Sequence, residues 1–92
     1  MGHDFTKFKE LLEKQEKFPL DYLHKFVGKH TSEFRTGAKA LENQFHLKLQ
    51  SERLSSNAQH LSFTFIFNAQ NSDQVVDLLR ATYLIDDLIY IL

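Results

Sequence analysis

Residues 60–69 constrain the fold of this chain more than any other segment, because apolar and polar side chains alternate along them. An alternation with a period of two is typical of a β-strand that buries one face and exposes the other. The apolar side is formed by Leu61, Phe63, Phe65 and Phe67, and the polar side by Ser62, Thr64 and Asn68, with Ile66 as the exception. We therefore expect the three phenylalanines to form a core beneath helices.

Two helices are predicted on either side of this strand. The first begins at Thr31 or Ser32, either of which can cap it, and its apolar stripe is Phe34, Ala38, Leu41 and Phe45. The second begins at Asn71, where Gln74 completes a capping box, and its apolar stripe is Val75, Val76, Leu79 and Tyr83. Both stripes have the spacing of a helix face that packs on a core.

Three further strands are expected, at residues 20–27, 47–53 and 88–92. Gly28 ends the first of them. The turn at residues 55–59 contains no glycine, but Asn57 can tolerate the left-handed conformation, so a hairpin with another turn type is compatible with the sequence.

A third, amphipathic helix is predicted at the N-terminus, with Asp4 as its N-cap and Pro19 ending the helical pattern. Its narrow apolar stripe comprises Phe5, Phe8, Leu11 and Leu12. A chain of 92 residues is long enough for one domain only. We therefore divide it into an N-terminal amphipathic helix, residues 1–17, and a compact domain, residues 18–92.

Without the first helix, the order of elements is strand, helix, strand, strand, helix, strand. This order predicts an α+β fold of the ferredoxin-like βαββαβ type, with a four-stranded antiparallel sheet in the order 4-1-3-2. Each crossover should be right-handed, which places the two helices on one face of the sheet. The apolar stripe of the N-terminal helix is expected to fold back under the sheet and cover its other face.

The last strand lies at one edge of the predicted sheet and carries no charge. Charges at an edge discourage another chain from pairing with it, and the opposite edge carries several. Strict alternation puts Leu88, Tyr90 and Leu92 on one side of the last strand, and Ile89 and Ile91 on the other. We expect the first three to form an interface with a protein partner, or with a second copy in a homodimer.

Composition excludes several classes of function. Eleven Lys and Arg residues against twelve Asp and Glu residues give a formal charge of −1. Such a chain has no electrostatic reason to bind nucleic acid or an anionic membrane. The absence of cysteine excludes disulfides, thiolate catalysis and cysteine-ligated zinc. No secretory signal or membrane-spanning run is recognisable, so we expect a cytoplasmic protein.

No catalytic or cofactor motif is recognisable in the sequence. Five histidines, His3, His24, His30, His46 and His60, lack the spacing of metal ligands, so we expect no metal and no cofactor. Asp86 and Asp87 are adjacent, and neighbours on an extended chain point in opposite directions, so a turn explains them better than acid and base chemistry does. We therefore predict that the protein is not an enzyme.

Several segments resemble the YbeD-like family of small uncharacterised bacterial proteins. They are Phe18-Pro19, Lys25-Phe26-Val27-Gly28, the strand that ends in Asn68-Ala69, and the helical residues 73–79. The resemblance covers most of the chain from Phe18 onward. It implies a ferredoxin-like fold similar to the ACT-type regulatory domains, which bind small effectors and pair through their sheets, and it implies no known reaction.

The connection after the first predicted strand is the candidate ligand site. Its residues are Gly28, Lys29, His30, Thr31 and Ser32. A glycine lets the backbone approach a ligand, and the N–H groups that begin a helix attract an anion. A plain turn with an N-cap has the same sequence pattern, so the small anionic effector and the turn are the two interpretations.

The function expected from the sequence is a non-enzymatic, ACT-like regulatory module that binds a small effector or a protein partner. The alternative is an RNA-binding domain of the RRM type, which has the same topology and stacks bases on exposed strand aromatics. The alternative requires Phe63, Phe65 and Phe67 to face solvent. Since the opposite side of their strand is polar and cannot form a core, we expect these rings to be buried and nucleic acid not to bind.

Overall fold

A computed structural model describes residues 4–92 as three helices and one four-stranded antiparallel sheet. The elements are α1 (Thr6–Gln15), β1 (Leu20–Lys29), α2 (Ser32–Phe45), β2 (Lys48–Leu54), β3 (His60–Ala69), α3 (Ser72–Thr82) and β4 (Leu88–Ile91). The strand order is β2-β3-β1-β4, which is the predicted order 4-1-3-2 read from the other edge. The ferredoxin-like fold is therefore confirmed. The strand β1 runs two residues further than predicted, because Gly28 and Lys29 still pair with β3.

The helix-covered face of the sheet holds the core. Phe63, Phe65 and Phe67 of β3 are at most 7% exposed, and Phe26 of β1, which pairs with Phe63, is fully buried. Phe34 of α2 meets the ring of Phe26 edge to face, with centroids 5.9 Å apart. The inward placement of the phenylalanines, on which the predicted architecture depends, is confirmed.

The helix α1 packs beside α3 and not under the sheet, so the predicted cover for the open face is wrong. Lys9 forms an ion pair of 2.7 Å with Asp73, and the Ser72 hydroxyl donates to the Glu13 carboxylate at 2.7 Å. Leu12 is buried in the same core cluster that α2 and α3 cover, and Phe5 and Phe8 pack against it. The physical reason is that α3 offers α1 both apolar contact and polar partners. Residues 1–3 of the predicted N-terminal segment lie outside the described residues, and its separation from residues 18–92 stays a prediction.

A β-bulge changes which side chains of β4 share a face. Ile91 pairs with Phe26, and Tyr90 with Val27, but Leu88 pairs with Gly28 because the register shifts between Val27 and Gly28. Leu88 and Ile91 consequently pack against the core. Ile89, Tyr90 and Leu92 are 44%, 47% and 64% exposed. Leu88 therefore does not share a side with Tyr90 and Leu92 as predicted, because one extra residue in a strand inverts the alternation beyond it.

The N-caps of α2 and α3 were predicted correctly, but the prediction of Asp4 as the N-cap of α1 was wrong. Phe5 is the N-cap of α1 and makes no side-chain cap bond, and the Asp4 carboxylate accepts from the N–H and the hydroxyl of Thr6. Thr31 and Asn71 accept hydrogen bonds from the third residue of their helices, as expected. In the β2–β3 turn, the left-handed conformation is adopted by Ala58, with φ 59°, and not by Asn57, which could tolerate it. The Asn57 side chain instead accepts hydrogen bonds from the Ser55 hydroxyl and the Gln59 N–H, which fixes it in the preceding position.

Candidate functional site

The connection between β1 and α2, proposed from sequence as the ligand site, is closely packed. Gly28 has an ordinary negative φ, so no left-handed turn explains it. A Cβ atom at this position would lie 2.3–2.5 Å from three ring atoms of Phe34. Because real Cβ atoms do not approach other atoms so closely, residue 28 must be glycine to let the Phe34 ring lie on β1. The glycine therefore serves close packing between strand and helix.

The polar groups of this connection are bound mainly to Gln59 and Asp87 of neighbouring turns. The N–H of Lys29 donates to the Asp87 carbonyl at 2.9 Å, and the N–H of His30 donates to the Gln59 carbonyl at 3.0 Å. The Thr31 hydroxyl accepts from the Phe34 N–H and donates to the Asp87 carboxylate at 2.7 Å. The carboxylate of Asp87 thus lies at the beginning of α2, where a bound anion was expected. Effector binding at Gly28, Lys29, His30, Thr31 and Ser32 stays a prediction, and a ligand there would have to displace these contacts.

The open face of the sheet contains a cleft of about 450 Å³ that the sequence did not single out. Residue pairing puts Arg53, Ser62, Val27 and Tyr90 in one row across β2, β3, β1 and β4. The row spans three strand spacings, or about 14 Å. The small side chains of Ser62 and Val27 form its floor, and the large side chains of Arg53 and Tyr90 rise at its two ends. We call this feature the open-face cleft.

Two cations of the open-face cleft have no carboxylate partner among residues 4–92. Lys25 and Arg53 line it, together with the hydroxyls of Ser55, Ser56 and Ser62, the His60 ring, and the apolar side chains of Val27, Leu54, Ile89, Tyr90 and Leu92. No Asp or Glu lines it. The ion pairs of the described residues, Lys9 with Asp73 and Arg35 with Glu52, lie elsewhere. The cleft therefore holds two cationic side chains and no acidic side chain, although the chain has a net charge of −1.

The outer edge of β4 borders this cleft. The strand pairs with β1 on one side only, so the backbone groups of its other side face away from the sheet. Residues 88–92 carry no charged side chain, in contrast to β2 at the opposite edge, where Arg35 holds Glu52 at 2.9 Å. Tyr90 and Leu92 of the predicted interface are exposed here, and Ile89 joins them in place of Leu88.

A buried polar pair lies on the other face, at His24. The Thr82 hydroxyl donates to the Leu78 carbonyl at 2.7 Å, so it accepts from His24 Nε2, which lies 2.9 Å away. The proton of the neutral ring is therefore on Nε2, and Nδ1 is a buried acceptor with no partner in the described structure. Burial lowers the pKa of His24 to about 4. Sequence reasoning missed this residue, although its place between Tyr22 and Phe26 on the inward side of β1 was a signal for it.

The two central strands lack the exposed aromatic rings of an RNA-binding sheet. The positions of the two central strands that face the open side are Asp21, Leu23, Lys25, Val27 and Lys29 on β1 and His60, Ser62, Thr64, Ile66 and Asn68 on β3. Neither row contains a Phe, Tyr or Trp on which a base could stack. The phenylalanines that prompted this alternative are in the core. The RRM alternative therefore has no support.

Residues 4–92 contain neither a candidate metal centre nor a helix that could span a membrane. No group of three or more His, Asp or Glu side chains in this part of the chain could hold a metal ion. His3, one of the histidines considered from sequence, lies outside it. Within the same residues, no helix has the length and apolar character needed to span a bilayer.

Comparison with known proteins shows the fold of this chain but not its family. No protein-family model and no curated protein matches it, so the resemblance to the YbeD-like family is not confirmed. Among solved structures, it is similar to the ACT domain from the GTP pyrophosphokinase of Chlorobium tepidum, with a TM-score of 0.62 and 12% identity over 79% of this chain and 97% of that one. The chain therefore has the ferredoxin-like fold of ACT domains.

Proposed function

We propose that this protein is a non-enzymatic, ACT-like regulatory module of the cytoplasm, and that it acts by binding a second copy of itself through β4. The observation that carries the proposal is the uncharged, unpaired edge of β4 beside the exposed Tyr90 and Leu92. The similarity in fold to an ACT domain supports a regulatory role.

A second copy is the partner that the charge of this edge fits best. Two β4 strands can pair antiparallel about a twofold axis, which joins two four-stranded sheets into one of eight strands. Neither strand carries a charge that would meet its own copy. Ile89, Tyr90 and Leu92 would then approach their counterparts along the open face, which removes apolar surface from water. The opposite edge is less suited to pairing, because the charged side chains of Lys48, Glu52 and Arg53 discourage another strand from adding there.

Effector binding remains the second function in this proposal. The similarity to ACT domains favours it, but the connection at residues 28–32 supports it less than expected, since its donors are bound to Gln59 and Asp87. Chemical-shift mapping with phosphate, carboxylates and amino acids tests this segment directly. Shifts confined to residues 28–32 would support a ligand there, and no shift at millimolar ligand would end that prediction.

Equilibrium sedimentation at micromolar concentration tests the pairing. The Tyr90→Lys variant should shift a dimer to monomer, because two lysines would approach each other at the edge. Leu84→Lys is the matched control, since Leu84 is 84% exposed but lies in the turn after α3. Hydrogen exchange should show residues 88–92 protected in the dimer and exchanging faster in Tyr90→Lys. A wild-type protein that sediments as a monomer, or equal effects of both lysines, would contradict the proposal.

A further inference from the structure

We infer that the open-face cleft binds a small anion that carries a flat apolar group, the class of an aryl phosphate or an aryl carboxylate. The inference deepens the effector part of the proposed function, and it does not depend on pairing through β4. It also moves the effector site from residues 28–32 to the other face of the sheet.

The anionic end of such a ligand is specified by Arg53 and Lys25. Both cations line the cleft, neither has a carboxylate partner in the described structure, and no acidic side chain lines the cleft to compete for them. A guanidinium group can bind two oxygens of a phosphate or carboxylate at once. The Ser56 hydroxyl also lines the cleft and has no hydrogen-bond partner within residues 4–92, so it can donate to the same anion.

The apolar end is specified by the opposite side of the cleft. Tyr90 is 47% exposed, and beside it lie Ile89, which is 44% exposed, and Leu92, which is 64% exposed. Val27 forms the floor between this wall and Arg53. A flat ring placed on Val27 could contact the Tyr90 ring, and aromatic pairs are more favourable than the buried area alone predicts.

Size and charge together exclude simpler ligands. The cleft is open to solvent, and its volume of about 450 Å³ is much larger than a phosphate ion requires. A purely apolar ligand would leave Lys25 and Arg53 partly desolvated without a partner, which is unfavourable. A ligand of about 14 Å or less that carries both an anion and a flat apolar group can contact Arg53 at one end of the row and Tyr90 at the other.

Chemical-shift mapping of the full chain with four probes tests this class. Phenyl phosphate and phenylacetate have both parts, inorganic phosphate has only the anion, and benzyl alcohol has only the ring. The two complete probes should shift the amides of Val27, Arg53, Ser62 and Tyr90 in a saturable way at millimolar concentration. The two partial probes should bind at least about tenfold more weakly, because each lacks one set of contacts. Tighter binding of phenyl phosphate would identify a phosphate ligand, and tighter binding of phenylacetate a carboxylate.

Two matched pairs of variants locate the binding in the cleft. Arg53→Gln and Lys48→Gln each remove one cation from the open face of β2, but Lys48 pairs with Ile66 and lies outside the cleft. Tyr90→Thr and Leu23→Thr each remove an exposed apolar group from the open face, and Leu23 is outside the cleft. We expect Arg53→Gln and Tyr90→Thr to weaken binding of the complete probes by about tenfold. The two control variants should weaken it by less than about twofold.

Three results would overturn the inference: no saturable shift in the cleft with either complete probe, equal binding of inorganic phosphate and phenyl phosphate, or equal losses in Lys48→Gln and Arg53→Gln. The first of these leaves the sedimentation result unaffected. Conversely, a monomeric protein that binds phenyl phosphate in the cleft would refute the pairing through β4 and keep the ligand site. The two proposals therefore fail separately.

Discussion

The two faces of the sheet are built from alternate residues of the same strands, yet their side chains differ in almost every physical property. On the helix-covered face, the side chains of β1 and β3 are large, mostly apolar and buried, and His24 is desolvated there. On the open face most of them are polar, with Leu23, Val27 and Ile66 as the apolar exceptions, and two cations have no carboxylate partner among the described residues. The difference indicates that the covered face determines stability, whereas the open face is available for binding.

The largest expected effect contrasts adjacent residues on β3. Phe65 is 1% exposed, and truncation to alanine should destabilise the protein by about 3–5 kcal/mol through lost burial and a cavity. Thr64 lies on the open face, and Thr64→Ala should change the free energy of unfolding by less than about 1 kcal/mol. Urea unfolding of both variants measures the contrast. Similar losses for the two would show that the open face is covered in solution.

The sequence predicts this contrast well on β3 because both properties that define it are local. Alternation along one strand distinguishes the two faces, and β3 has no bulge within its pairing to β1. On β4 the same reasoning failed for Leu88, because the bulge depends on how the strand pairs with β1. Local alternation cannot show a register shift that is set by another strand.

The candidate site was less predictable for a related reason. The sequence around Thr31 correctly indicates a helix N-terminus, but its anionic partner, Asp87, is 56 residues away. The open-face cleft likewise combines side chains from all four strands, and only their register brings Arg53 and Tyr90 into one row. In both cases the pairing of distant residues decides whether polar groups are satisfied internally or remain available to a ligand.

The second prediction concerns pH and again separates the faces. Burial lowers the pKa of His24 to about 4, whereas an unfolded chain has the ordinary value of 6.5. Between these values the unfolded state binds a proton that the folded state does not, so stability falls as pH decreases from about 6.5 to about 4. The stability lost over this window should be about 3 kcal/mol. Above pH 6.5 this contribution is fully present.

Two variants isolate the contribution of His24 from that of the carboxylates. His24→Leu should flatten the part of the stability profile between pH 6.5 and 4, since its side chain does not titrate. His60→Gln removes an exposed imidazole from the open face and should leave that part unchanged. Urea midpoints across this window measure both. A wild-type profile with the same slope as that of His24→Leu would show that the buried ring does not control acid sensitivity.

The smallest of the three effects tests the reason for Gly28. Adding a methyl group at Gly28 places it within 2.5 Å of the Phe34 ring, so Gly28→Ala should destabilise the protein by about 1–3 kcal/mol through overpacking. Gly28→Ala should destabilise the protein less in a Phe34→Leu background, which lacks the outer ring atoms Cε1 and Cζ. Lys29→Ala, at the next position, controls for the substitution itself and should have little effect on stability. A double-mutant cycle between Gly28 and Phe34 measures the coupling.

The sign of this coupling distinguishes packing from ligand approach at Gly28. If the glycine is needed only so that a ligand can reach the backbone, Gly28→Ala would leave the free energy of unfolding unchanged in both Phe34 backgrounds. If it is needed for packing, the destabilisation appears without any ligand, and removing the outer ring atoms of Phe34 relieves it. Since the contact is with a fully buried ring on the covered face, we expect the destabilisation that packing predicts. Folded Gly28→Ala protein should still bind phenyl phosphate in the open-face cleft.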